Sequence, residues 1–185
     1  MAAARVILAS GSPQRRAILQ QIGVPFEIRV PAVDELTQGP AAEMALENAY
    51  RKAAAIAPAH LPVLGVDTVV SLGAEIFGKP RDADHAAQML SALAGRSHVV
   101  VSGVCLIDAE RVRTAAAQTT VAFRTLDPVA VAAYVRAGEW EGRAGAYAIQ
   151  GRGATLVARI EGDYLNVVGL PVSTLIDMAP DLIAD

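Results

Sequence analysis

The sequence predicts an α/β fold with a mixed β-sheet flanked by helices, spanning residues 1–185 as a single domain. Three observations carry that expectation. Short β-rich runs alternate with helical apolar stripes through the first half of the chain. Two long strand-like runs then face each other across a polar tip, and no segment repeats or is of low complexity. With 185 residues, 53% of them hydrophobic, and a net charge of −3, the chain can bury one full core. Disorder would need low hydrophobicity and high net charge.

Taken in order, Arg5–Ala9 reads as a short strand ended by the small residues Ser10, Gly11 and Ser12. Pro13 suits the first position of a helix with Ser12 as its N-cap, and Ala17, Ile18, Leu19 and Ile22 give that helix an apolar stripe up to Gly23. Phe26–Val30 reads as a strand, Ala41 to Ala57 as an Ala-rich helix, and Pro62–Leu72 as a strongly apolar strand interrupted by Asp67. A short strand, Glu75–Phe77, precedes a helix over Ala83–Leu93, whose Ala86, Ala87, Leu90 and Leu93 share a face. Ser97–Asp108 and Val112–Arg124 form a hairpin around Ala109-Glu110-Arg111. Pro128–Ala137 is a short helix stopped by Gly138, Gly151–Ile160 a strand, and Val172–Ile183 a closing helix started by Pro171.

Composition narrows the function. No run of Lys or Arg exists, which argues against non-specific nucleic-acid binding through counterion release. A small phosphorylated ligand needs only a few well-placed cations and stays open. The single cysteine, Cys105, lies in an apolar run and reads as a small buried hydrophobe rather than a nucleophile. Met1–Ser10 carries an apolar run too short for a secretory signal, and no stretch approaches about 18 uninterrupted apolar residues. The expectation is a cytoplasmic protein with no membrane partner. The three histidines are far apart in sequence; His98 reads as structural, His60 and His85 as surface positions.

Four places can carry chemistry. Ser10-Gly11-Ser12-Pro13-Gln14-Arg15-Arg16 puts a glycine and hydroxyls between a strand and a helix N-terminus, where backbone N–H groups can meet an anion and arginines can add charge-assisted bonds. An ordinary capped helix with two solvated arginines is the other reading, and the loop lacks the spacing of a Walker A motif. Asp67 sits among β-branched residues, where a carboxylate is costly unless it pairs, binds a metal or faces a cavity. A solvated edge-strand aspartate is its bland alternative. Pro80 biases Lys79 in Gly78-Lys79-Pro80 towards an extended backbone, a stiff mount for a phosphate-facing cation or merely a solvated loop lysine. Asp34 and Glu35 are further carboxylates after a strand, or simply a turn pair. The small-residue segment Ala144–Ala154 implies close backbone approach, with Gln150 able to read a base edge or a phosphate.

In their order and spacing these pieces resemble the Maf family of nucleotide pyrophosphatases. They are Leu8–Arg16, Val33-Asp34-Glu35, Lys52-Ala53, Gly65-Val66-Asp67-Thr68, Gly78-Lys79-Pro80, Ala144–Gly151 and Val168-Gly169-Leu170-Pro171. The resemblance implies an elongated two-lobed α/β structure with a central cleft. It implies hydrolysis of a nucleoside triphosphate to the monophosphate and pyrophosphate. Ser10, Ser12 and Arg15 would bind the triphosphate, Asp67 would accept the proton, and Glu35 would accompany it at a divalent metal, Mg²⁺ or Mn²⁺. Lys52 and Lys79 would face phosphates and Gln150 the substrate. Thr68 with Ile149-Gln150-Gly151 is similar to the subgroup that prefers dTTP and UTP rather than 7-methyl-GTP. Gln14 departs from the arginine frequent in the family, and Arg16 stands about 100° further round the helix than Arg15. Maf-like proteins are often homodimers and are also linked to clearance of non-standard nucleotides and restraint of septum formation. A nucleotide-binding regulator with little turnover is therefore the alternative function, and a structural or interaction domain a third.

Overall fold

The computed structural model describes residues 3–109 and 111–183, so Glu110 at the expected hairpin tip lies outside the described residues. Its strands are β1 (Val6–Leu8), β2 (Phe26–Ile28), β3 (Val63–Leu72), β4 (Glu75–Phe77), β5 (Ser97–Asp108), β6 (Arg111–Phe123) and β7 (Val157–Glu161). The helices are α1 (Pro13–Gln21), α2 (Ala41–Ala54), α3 (Ala83–Leu93), α4 (Pro128–Arg136), α5 (Tyr164–Val168) and α6 (Val172–Met178). Ser12 caps α1 as its sequence predicts, its hydroxyl accepting from the Arg15 amide, and Pro13 occupies the first turn.

The strands form one seven-stranded mixed sheet in the order β2-β1-β3-β5-β6-β7, with β4 also on β3. β1 pairs in parallel with β2 and β3, whereas β3, β5, β6 and β7 run antiparallel in succession. Alternation along β3 divides the core. Leu64 and Val66 pack with α1 residues Ile18 and Leu19 and with Leu175 of α6, while Val63 faces Ala49 and Ala53 of α2. A further cluster joins Leu90 and Leu93 of α3, Tyr134 of α4, Phe123 and Tyr147.

Two glycines bring α2 unusually close to the sheet. A Cβ on Gly65 would lie 2.1 Å from the Ala49 carbonyl oxygen, and one on Gly103 would lie 2.2 Å from that of Ala45. Only hydrogen at both positions lets the helix backbone rest on β3 and β5.

Two expectations need correction. Gly151–Ile160 is not one strand: Gly151–Thr155 is a 3₁₀ turn and β7 begins only at Val157. Gly151 has φ +67°, outside strand geometry, and Gly153 lies against the Ala148 carbonyl, where a side chain would collide. The closing helix does not reach Ile183. It ends at Met178, because Pro180 has no N–H to continue it and Ala179 is turned to φ −149°, ψ 71°. The short helix α5, capped by Asp163, was not read from the sequence. Smaller trims bring the ends of β2 and α2 back to Ile28 and Ala54.

Candidate active site in a gap of the sheet

Neighbouring strands on one side of β3 leave it open in the middle. β1 pairs with Val63 and Leu64, and β4 pairs with Val70 to Leu72. Between them, residues 65–69 have no strand partner on that side, while β5 covers the other side throughout. A cleft of about 730 Å³ occupies this gap, within the range of roughly 300–1,000 Å³ usual for small-molecule sites. It also lies beyond the carboxyl end of β1, where α/β sheets commonly place ligands.

The gap explains how adjacent residues of one strand serve one site. Asp67 and Thr68 point to opposite faces of the sheet, yet both line the cleft. Asp67 turns towards α2 and is 6% exposed. Its Oδ1 accepts from Lys52 Nζ at 2.5 Å and its Oδ2 from Asn48 Nδ2 at 3.0 Å. Lys52 and Asn48 stand one helical turn apart on α2, so the close seat of that helix delivers both donors. Lys52 Nζ also reaches Glu35 Oε1 at 2.8 Å, and two carboxylates thereby converge on one ammonium. Asn48 further ties the loop before α2, accepting from the Leu36 amide at 2.7 Å.

On the other face Arg15 is 8% exposed and each of its nitrogens has a protein partner. Its Nε donates to the Gly169 carbonyl at 2.9 Å, Nη1 to Ser10 Oγ at 2.9 Å and Nη2 to Thr68 Oγ1 at 3.3 Å. Thr68 Oγ1 is also 2.9 Å from Ser102 Oγ on β5. Burial draws the Arg15 guanidinium below its ordinary pKa, against the opposing pull of Asp67 and Glu35. For Glu35, burial is the largest single influence and would raise the pKa. The hydrogen bond and charge of Lys52, with Lys79 and Arg15, outweigh it and hold Glu35 below the usual carboxylate value.

Every site residue expected from the sequence lines this one cleft: Ser10, Ser12, Arg15, Glu35, Lys52, Asp67, Thr68, Lys79 and Gln150. Gln14 lines it too, its Oε1 accepting from the Ser12 hydroxyl at 3.2 Å, whereas Arg16 and Asp34 are exposed and not among the lining residues. Asn48, Glu141 and Arg143 line the cleft and were not singled out from the sequence. Asn48 could have been found four positions before Lys52 on the same helical face. Ser102 could not, because its place beside Thr68 depends on the β3–β5 register. His98 and Cys105 are buried structural groups: burial lowers His98 to about 4 and raises Cys105 to about 11. His60 is exposed, and His85 is half-buried at the start of α3.

Among the described residues, no group of three or more His, Cys, Asp or Glu gathers to hold a metal by itself. Glu35 and Asp67 form a smaller acidic pair, already close enough to share one cation. No helix among the described residues is long and apolar enough to cross a membrane.

Several known proteins are similar to this chain along most of its length. A relative from Pelotomaculum thermopropionicum named dTTP/UTP pyrophosphatase is 45% identical over 179 residues, covering 94% of this chain and 94% of its own length. One of the same name from Symbiobacterium thermophilum is 44% identical over 178 residues, covering 94% and 92%. Another from Salmonella typhimurium is 45% identical over 170 residues, covering 89% and 86%. The family model described as Maf-like protein matches residues 5–182, and the chain therefore belongs to the Maf family.

Proposed function

We propose that this chain is a nucleoside triphosphate pyrophosphatase, acting on dTTP and UTP and releasing the monophosphate and pyrophosphate. One observation carries the reading: a charge bridge of buried Asp67 and Lys52 with the partly exposed Glu35 faces a pre-set Arg15 loop across a nucleotide-sized cleft. The relatives' names and the Thr68 and Gln150 positions support the pyrimidine preference. The same names do not favour a regulator with little turnover.

In the proposed reaction a water oxygen attacks the α-phosphorus, and the bond to the bridging oxygen breaks, leaving with pyrophosphate. The water's proton passes to Asp67. Its carboxylate is oriented for this by Lys52 and Asn48, and a positioned general base contributes roughly 10²–10⁴-fold to rate. Ser10, Ser12 and Arg15 form the triphosphate loop at the start of α1. Thr68 acts through Arg15, whose Nη2 it receives. Lys79 lies close enough to depress Glu35 electrostatically and would stabilise charge on the departing pyrophosphate. Gln150, exposed on the cleft wall, would contact the substrate.

A divalent cation fits the donor set. The acids Glu35 and Asp67 neutralise Lys52 and Arg15, so the inner cleft has little net charge of its own to offer a triphosphate. Glu35 and Asp67 would hold Mg²⁺ or Mn²⁺ together with phosphate oxygens, all hard oxygen ligands. When bound, such an ion supplies charge neutralisation at the phosphates.

Pyrophosphate release from dTTP, UTP, CTP, GTP and 7-methyl-GTP, with Mg²⁺ or Mn²⁺ and an EDTA control, tests the reading. Fast release from dTTP and UTP that EDTA abolishes is expected. Asp67→Asn should lose at least about 100-fold in kcat while remaining folded. Absence of release from every triphosphate would refute the proposal, and a near-normal Asp67→Asn rate would remove Asp67 from the mechanism.

A further inference from the structure

The cations lining the cleft are of two kinds. Arg15 and Lys52 are tied to the protein, to Gly169, Ser10 and Thr68 for one and to the two carboxylates for the other. Arg143 differs. It is half-buried and lines the cleft, but it has no hydrogen bond or ion pair from its side chain to any described residue, and its Nε is buried without an acceptor. A buried guanidinium nitrogen with no acceptor is unusual in a folded protein and leaves the group with bonding capacity for a ligand.

The loop carrying Arg143 is fixed rather than loose. Gly142 and Gly145 on either side adopt φ +67° and +74°. The Gly145 amide donates to the Gly78 carbonyl at 3.2 Å, which docks this loop on the turn that bears Lys79. A Cβ on Gly145 would meet Val70 at 3.1 Å, so the loop is seated directly on β3. Arg143 and Lys79 are therefore presented from two adjoining turns of one cleft wall. Glu141 lines the same wall but makes no ion pair with Arg143.

We propose that Arg143 is a substrate-binding residue, closing its guanidinium fork on a phosphate group of the nucleotide beside Lys79. The proposal rests on the pyrophosphatase reading and adds to it a specific anion contact. A phosphate supplies two oxygens in the plane of a guanidinium edge, including the acceptor that Nε lacks. Arg15, held by three protein contacts, also keeps the Ser10–Ser12 loop and Thr68 in place, whereas Arg143 has no such contacts among the described residues and can turn its fork to the incoming anion.

Steady-state kinetics on dTTP and UTP with Arg143→Ala and Arg143→Lys, and calorimetric titration with inorganic tripolyphosphate and pyrophosphate, test this. Arg143→Ala should raise KM about tenfold or more and change kcat far less, with weaker binding of both inorganic anions. Arg143→Lys keeps the charge but loses the fork, and should fall between wild type and Arg143→Ala in anion affinity. Should Arg143→Ala fail to fold, the Lys variant still decides the matter, since unchanged affinity and KM in it would refute a fork contact. An active wild type with an Arg143→Ala variant of unaltered KM and anion affinity overturns the inference and leaves the pyrophosphatase reading standing. An inactive wild type overturns that reading instead, and tripolyphosphate binding that weakens in Arg143→Ala would still support the anion contact.

Discussion

Replacing Lys52 with Met is the sharpest perturbation of the site, because it preserves most of the side-chain volume and removes only the ammonium that joins two acids. Lys52 and Asp67 are 9% and 8% exposed at their side chains and 2.5 Å apart, so the variant leaves Asp67 buried beside the single donor Asn48. Breaking a buried pair on one side costs about 3–5 kcal/mol. The lower end applies here, since Asn48 still donates to Oδ2 and the Glu35 side chain is 37% exposed and screened by solvent. A loss of about 3 kcal/mol corresponds to roughly 6–12 °C in Tm for a chain of this size. Thermal and urea unfolding of Lys52→Met, Asp67→Asn and the double variant measure it as a cycle. The double variant should recover much of the loss, because the orphaned charge is gone. A Lys52→Met Tm within about 1 °C of wild type, or strictly additive losses in the cycle, would refute the account of the bridge.

Two further predictions concern the frame around the site. His98 is 1% exposed, and its burial lowers its pKa from 6.5 to about 4. Between those values the unfolded chain takes up a proton that the folded chain refuses, so stability should fall as pH drops from 6.5 to 4, by about 3 kcal/mol, and then level off. Urea midpoints across that range should show this component in wild type and lose it in His98→Phe; equal pH slopes in the two would contradict it. Gly103→Ala places a methyl 2.2 Å from the Ala45 carbonyl oxygen, which is helix backbone and cannot turn aside. It should cost about 1–3 kcal/mol and lower kcat by shifting Asn48 and Lys52 off Asp67. Gly78→Ala, with nothing within 4 Å of its Cβ, is the stability control.

Most elements were legible because their signals are local. Pro13 after Ser12 starts α1, and Asp82 and Pro128 mark the starts of α3 and α4. The misread tail shows the limit of such signals. Gly151-Arg152-Gly153 has strand-like neighbours, but its backbone is set by Glu139, whose carboxylate accepts from the Arg152 and Gly153 amides across the fold. Pro180 is itself a local signal against a helix running on to Ile183.

The chemistry divides in the same way. The sequence by itself determined which residue types are available, the order of the motifs that identify the family, and the strand–loop–helix that sets Arg15 beside Ser10. Only the tertiary structure decided that Asp67 and Thr68, facing opposite sides of β3, share one cleft. That follows from where β1 stops and β4 begins along β3, a matter of strand register that no local preference encodes. It also decided which cleft cations are tied to protein partners, as Arg15 and Lys52 are, and which, as Arg143, have none among the described residues. Hydrogen-bond partners can lie far apart in the chain, 154 positions for Arg15 and Gly169, and the sequence alone does not bring them together.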